Sequence, residues 1–302
     1  MTQHTTGNHQ RIVPRLRLQV GDHGVVGAAR FYTDVFRPFE EAGLELGATG
    51  GTATAEGVDL FVAGMRLHLT AAADAADTSG AEGISPATNM MVNVDPSFFG
   101  WSPDATPEAQ QAAQARARAV LDTIWEGLAE DAQAVLMPLD EYPFSARYGW
   151  VLDRYGMSWQ VMLTDPAGAP RPALIPSFLF GGEAQNRAGE ARELWTGVFA
   201  EVFGPDGAGG TGTGTMVTYP QDNGPAVAGS VMFADVRLLG TWFSMMDSAT
   251  EQPFTFTDAV SFRVYCDTPV QAEVLGRELG LDGHTRRGVD RFGVSWEILL
   301  QG

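Results

Sequence analysis

Five histidines and one cysteine are all the imidazole and thiol chemistry this chain offers. His4 and His9 stand in a polar N-terminal stretch, His23 in the turn GDHG, and His284 in a loop before the last predicted hairpin. Only His68, in MRLHLT, falls inside a predicted strand. Its register is opposite to that of Leu67 and Leu69, so it faces away from their apolar side. Cys266 follows Tyr265 just before a helix start at Thr268–Pro269. A helix N-terminus lowers a thiol pKa, but no histidine stands near it in sequence, and the reading is a structural thiol. There is no G-x-S-x-G and so no hydrolase elbow. The carboxylates are too many and too scattered to single out an acid–base pair.

A duplication organises the rest. Residues 153–163 read DRYGMSWQVML and residues 290–300 read DRFGVSWEILL, identical at six of eleven positions and 137 positions apart. A module of roughly that length has been repeated. Gln160 and Glu297 occupy equivalent places, as do Trp159 and Trp296 beside them. Neighbouring strand residues face opposite ways, so if Gln160 and Glu297 face a cavity the tryptophans pack under helices. Arg154 and Arg291 each follow an aspartate, and each pair reads as a surface turn with a local ion pair. Tyr142, Phe144, Tyr148 and Trp150 cluster before the first hairpin, as pocket wall or as core.

The elements that position these residues follow from periodicity. Alternation in RIVPRLRLQV (11–20) predicts a strand, and spacing of three and four predicts a helix over 25–43. Strands are expected at 58–64, 65–72 and 87–95, a helix at 106–129, a short strand at 134–138, and a hairpin turning at Asp153–Gly156. DPAGAPRPA (165–173) is a linker by its prolines and glycines. The second module repeats the order: strand 174–180, helix 188–203, strands near 216–219, 227–237, 240–247 and 259–267, helix 268–280, hairpin 286–300. The Gly-rich run 204–215 reads as a flexible loop. The fold class is α+β, with residues 1–10 a disordered tail and modules over 11–164 and 174–302.

Composition narrows the partners. The formal net charge is -18, from 37 acidic residues against 19 arginines and no lysine. Such a surface repels phosphate backbones and argues against nucleic acid. No apolar run is long enough for a membrane span, and the polar N-terminus lacks a signal-peptide layout. A single cysteine excludes an internal disulfide, and a cytoplasmic location is expected.

Several stretches resemble the vicinal-oxygen-chelate (glyoxalase/bleomycin-resistance) superfamily, specifically its PhnB-like branch. RFYTDVF (30–36) and ELWTGVF (193–199) are similar to its helix-one motif, and MPLDEYPFSARYGWVLDRYGMSWQV (137–161) to its signature run. AVSFRVYCDTP (259–269) and RFGVSWEI (291–298) are similar to its strand-plus-helix-start and closing-strand motifs. The resemblance implies two tandem βαβββ modules with mixed, mostly antiparallel curved sheets enclosing a cup. It also implies a divalent metal held by His and Glu, with the closing-strand ligand position falling on Gln160 and Glu297. The neutral Gln160 is a poor ligand; Glu297 with His68 makes two metal ligands where three are needed.

The function read from these residues is binding of a small, partly apolar molecule in the cup, without the usual metal site and with no other cofactor. The ligand-binding candidates are Arg17, Gln19, His68, Tyr148, Trp150, Gln160 and Glu297. The alternatives are a metal-dependent lyase, isomerase or dioxygenase using Glu297 and His68, and a non-catalytic dimerisation scaffold. No complete catalytic constellation is present. The methyl transfer often ascribed to the branch lacks a Gly-rich turn between strand and helix, since GAGGTGTGT (207–215) follows a helix and leads into a strand. A monomer and a homodimer are both compatible with two modules in one chain.

Overall fold

A computed structural model describes residues 10–44, 46, 49–72, 83–281 and 286–301. The tail over 1–9, with His4 and His9, and His284 lie outside the described residues. A strand–helix–strands pattern recurs four times, so each sequence module holds it twice. The first repeat is β1 (Ile12–Leu18), α1 (Gly24–Glu41), β2 (Gly50–Ala53), β3 (Val58–Val62) and β4 (Met65–Ala71). The second is β5 (Thr88–Val94), α2 (Pro107–Ala129), β6 (Ala134–Tyr142), β7 (Ser145–Leu152) and β8 (Ser158–Leu163). The third is β9 (Leu174–Phe180), α3 (Ala188–Phe203), β10 (Gly212–Thr218), β11 (Val231–Leu238) and β12 (Thr241–Asp247). The fourth is β13 (Val260–Cys266), α4 (Pro269–Glu278), β14 (Arg287–Val289) and β15 (Ser295–Leu300).

The chain forms two compact units, one over residues 18–71 and 90–175 and the other over 10–17, 83–89 and 176–301. In the first, β4, β3 and β2 pair antiparallel, and β5 runs parallel to β8, which continues antiparallel into β7 and β6. In the second, β9 is parallel to β12, which pairs antiparallel with β11 and then β10. There too β13 lies between its parallel partner β15 and the antiparallel β1, and β14 pairs with β15. Each parallel pair joins the first and last strands of one repeat, which is possible because a helix carries the chain across. The result is α+β with mixed, mostly antiparallel sheets.

Local sequence explains the helix ends. Thr106 caps α2 by accepting from the Ala109 N–H at 3.3 Å, with Pro107 at the first helical position. Thr268 and Gln271 form a capping box at the start of α4. Three expectations change. β10 begins at Gly212, inside the run read as a flexible loop, because Gly212 and Thr213 pair with Arg237 and Val236 of β11. β11 begins only at Val231, since residues 227–230 turn, with Ser230 N–H donating to Val227 at 3.0 Å. β6 runs on through Pro138 to Tyr142, which an edge strand permits because a missing N–H there leaves no ladder partner unpaired.

The repeated D-R-aromatic-G turn is not the surface ion pair its sequence suggests. Asp153 and Asp290 are buried, at 0% and 4% exposure. Asp153 Oδ1 accepts from the backbone N–H of Tyr155 and Met157 at 2.8 and 3.0 Å, and Oδ2 from Trp159 Nε1 at 2.8 Å and Tyr32 Oη at 2.7 Å. Asp290 repeats this with Phe292 and Val294 N–H at 2.9 and 3.0 Å, and with Trp296 and Trp195 Nε1 at 2.9 Å each. Tyr32 and Trp195 stand at the same place in RFYTDVF and ELWTGVF, so in each unit a helix donates to the carboxylate that closes the last hairpin. Gly156 and Gly293 take φ of 79° and 94°, which the tight turn requires. Arg154 instead reaches Glu130 at 2.7 Å, and Arg291 reaches Glu190 at 2.9 Å. Burial pushes both carboxyls up, and the donors oppose it.

Two outcomes follow for stability. Asp290→Asn leaves an amide NH₂ facing indole N–H groups, so denaturant unfolding should show a loss of about 2–4 kcal/mol for stranded buried donors. At Gly149 a Cβ would lie 2.4 Å from the Trp125 ring of α2, so Gly149→Ala should cost about 1–3 kcal/mol by overpacking in the same assay.

Candidate functional site: the strand faces turned away from the helices

Each four-stranded run has one face under helices and one turned away. In the first unit Trp159 packs against Tyr32 and Phe36 of α1, with ring centroids 5.5 and 5.3 Å apart. In the second Trp296 packs against Trp195 and Phe199 of α3 at 5.7 Å each. Gln160 and Glu297, one residue further on, therefore point to the other face.

On that face of the first unit, Trp150 is directly across from Gln160, and Gln160 from Met91. Tyr148 Oη donates to Gln160 Oε1 at 2.9 Å, and Trp150 Nε1 donates to Ser158 Oγ at 2.8 Å. Burial pushes the Tyr148 hydroxyl well up, so it stays a neutral donor. Tyr142 and Phe144 pack against Tyr148 at 5.6 and 5.0 Å, and Phe144 is 62% exposed. Two surface hollows of this unit open elsewhere, one at Trp125, Leu139 and Arg147 and one between α1 and α2 at Phe31, Gly127 and Tyr155. Neither is lined by Tyr148, Trp150 or Gln160. Gln19 lies apart from that trio, at the Asp153 turn: its N–H donates to Tyr155 at 3.4 Å and its side chain accepts from Gln133 at 3.5 Å. His68 on β4 is buried, opposite Asp59 of β3, with Nδ1 at 2.6 Å from Asp59 Oδ1. Arg66 donates to the same carboxylate at 2.6 Å. Burial would raise the Asp59 carboxyl, but His68 and Arg66 hold it below its usual range.

In the second unit the equivalent face carries arginines. Glu297 Oε2 accepts from Arg263 Nε at 2.9 Å, directly across the β13–β15 ladder, and Oε1 accepts from Arg287 of β14 at 2.5 Å. Burial would raise the Glu297 carboxyl; the two guanidiniums outweigh it and hold it below the usual range. Arg17 pairs with Asp258, one of its two contacts at 3.3 Å. Arg15, two residues earlier on β1, shares their face. Cys266 is buried and pushed up to about 11, chiefly by that burial, so it is a poor nucleophile.

The structure thus brings together Tyr148, Trp150 and Gln160 in one unit; in the other, Arg17 and Glu297 share a strand face but are held by separate partners, Asp258 for Arg17 and Arg263 with Arg287 for Glu297. His68 belongs to the first unit and Glu297 to the second, each engaged within its own. The metal implied by the family resemblance does not suit these residues. Both oxygens of Glu297 already face guanidiniums, and a divalent cation there would meet like charge. Among the described residues no three His, Cys, Asp or Glu side chains gather in metal-holding geometry. The sequence reading passed over Arg15, Arg263, Arg287 and Ser295 as site residues; Arg15, Arg263 and Ser295 alternate with apolar strand neighbours, whereas Arg287, between Arg286 and Gly288, carries no such signal.

Repeats whose first and last strands pair in parallel, with apolar faces under helices, define a vicinal-oxygen-chelate fold. Glyoxalase I from Zea mays is similar in fold, with a TM-score of 0.51 at 10% identity, covering 97% of this chain and 93% of its own. A PhnB protein from Bacillus cereus, described with the 3-demethylubiquinone-9 3-methyltransferases, is 24% identical over 51% of this chain and 100% of its own, with a TM-score of 0.34. No curated protein matches the chain. The model of the family described as 3-demethylubiquinone-9 3-methyltransferase matches residues 106–162 and 172–299, and the chain belongs to that family, the PhnB-like branch, as two tandem modules.

The Glu297 pairing has a sign that can be checked. A carboxyl depressed in the folded state adds stability that is full above its unfolded pKa of about 4.3 and is lost as pH falls through the folded value. Glu297→Gln should therefore flatten the acid limb of stability below about pH 4.3 and cost about 2 kcal/mol at neutral pH by denaturant unfolding.

Proposed function

We propose that this PhnB-like protein binds a small, partly apolar molecule on the strand faces that turn away from its helices, without a resident metal. The observation that carries this is polar burial where packing alone would place aliphatic side chains. Ser177 and Ser244 face each other across the β9–β12 pair, and Ser295 sits opposite Ser261 in the β13–β15 pair. The hydroxyls of Ser177, Ser244 and Ser295 are buried with no hydrogen-bond partner among the described residues. Such groups cost about 1–3 kcal/mol each unless water or a ligand supplies the missing bond. In the first unit Tyr148, Trp150 and Gln160 supply aromatic area with fixed polar groups, the mixture small-molecule sites use. The chain's charge of -18 disfavours nucleic acid, and no helix among the described residues is long and apolar enough to cross a membrane.

The methyl transfer in the family description finds no support in the glycines. The run at 204–215 leaves α3 and enters the edge strand β10, so no helix N-terminus follows it to cradle a nucleotide-like cofactor.

Titration with menadione, a small aromatic quinone, read by tryptophan fluorescence, tests the reading. Saturable quenching is expected, and Trp150→Ala and Gln160→Leu should each weaken it about tenfold, roughly 1.4 kcal/mol. Elemental analysis of the same preparation should find no stoichiometric divalent metal. One tightly held ion per chain, or quenching unchanged in both variants, would overturn the reading.

A further inference from the structure

The strand face of the second unit reverses the charge of the molecule. Four guanidiniums, Arg15, Arg17, Arg263 and Arg287, share it with two carboxylates, Asp258 and Glu297, in a chain whose net charge is -18. Arg17 is matched by Asp258, and Arg263 and Arg287 share Glu297. Arg15 is left over. Among the described residues its guanidinium makes no hydrogen bond and no ion pair, and its Nε is buried. Its electrostatic neighbours are Arg287, Arg263 and Arg17 against the single Glu297.

Register supplies the rest of the geometry. Arg15 lies directly across from Ser261, and Ser261 from Ser295, so these three form one row over β1, β13 and β15. The next row on the same face is Arg263, Glu297 and Arg287. With strands about 4.8 Å apart, the first row spans about 10 Å. It offers a planar guanidinium fork and two hydroxyls, one of them, Ser295, buried without a partner. It has no carboxylate. A carboxylate or phosphate group fits that row as a bidentate partner of Arg15. A metal does not.

We propose that Arg15, with Ser261 and Ser295, binds the oxyanion group of a small molecule, the Arg263–Glu297–Arg287 row supplying the surrounding positive field. This rests on the reading of the strand faces as ligand sites and specifies its chemistry in the second unit.

The probes are sodium phosphate and sodium oxalate, each compared with sodium chloride at matched ionic strength, with thermal unfolding of the full chain as readout. Either oxyanion should raise the melting temperature saturably by a few degrees beyond chloride, since a ligand of the folded state stabilises it by mass action. Which of the two binds more tightly assigns phosphate or carboxylate. Arg15→Gln should raise the apparent Kd at least tenfold, while its ligand-free melting temperature stays level or rises because like-charge repulsion is relieved. Ser295→Ala should weaken binding to a smaller degree and serves as the reporter if Arg15→Gln does not fold. Arg30→Gln, on an exposed position of α1, should bind as the natural protein does. No rise beyond chloride, or an equal rise in Arg15→Gln or, where that variant does not fold, in Ser295→Ala, overturns the proposal. Menadione quenching governed by Trp150 and Gln160 would still stand in that case, so the two failures are distinguishable.

Discussion

A buried carboxylate with four donors is the constraint on which each unit depends. Asp153 and Asp290 each gather two backbone N–H groups of a tight turn, the indole of the following strand, and one aromatic donor from a helix of another repeat. The turn fixes where β8 and β15 begin. The indole fixes which face of those strands lies under the helix. Because side chains alternate along a strand, fixing Trp159 and Trp296 on one face also fixes Gln160 and Glu297 on the other. A one-residue slip would bury Glu297 among Trp195 and Phe199, at the cost of an unpaired charge in an apolar core. The carboxylate that closes the hairpin therefore also aims the polar residues.

The duplicated faces have diverged in chemistry while the scaffold beneath has not. Under the helices the two units match almost residue for residue, Tyr32 with Trp195, Phe36 with Phe199, Trp159 with Trp296. On the outward faces, Gln160 accepts from a tyrosine in one unit, and Glu297 accepts from two arginines in the other. Core positions are held by close packing, where a change of volume is felt at once. Strand-face positions that look away from the core answer to whatever they bind, and a neutral amide and a carboxylate impose different partners around them.

Strong periodicity made most elements legible before any coordinates. The helix over 188–203 and the strand over 174–180 fall where their apolar spacing places them. β2 was invisible because Gly50–Ala53 has no apolar alternation and is fully exposed; only pairing with β3 makes it a strand. β10 was hidden in the same way by its glycines. The site was harder. Glu297, Gln160, Tyr148 and Trp150 were reachable from the repeat and its register. Arg263 and Arg287 were not, because their meaning lies in a ladder between β13, β14 and β15 that sequence separation conceals.

By itself the sequence determined the duplication, the α+β class, the helix faces and the acidity, since these rest on local period and composition. Tertiary structure alone decided that Asp153 and Asp290 are interior, that Glu297 is held by guanidiniums, and that Arg15 has no matched carboxylate among the described residues. Those outcomes depend on which charges are brought within a few ångströms after the chain has folded, and Coulomb attraction and burial read distance in space, not along the chain.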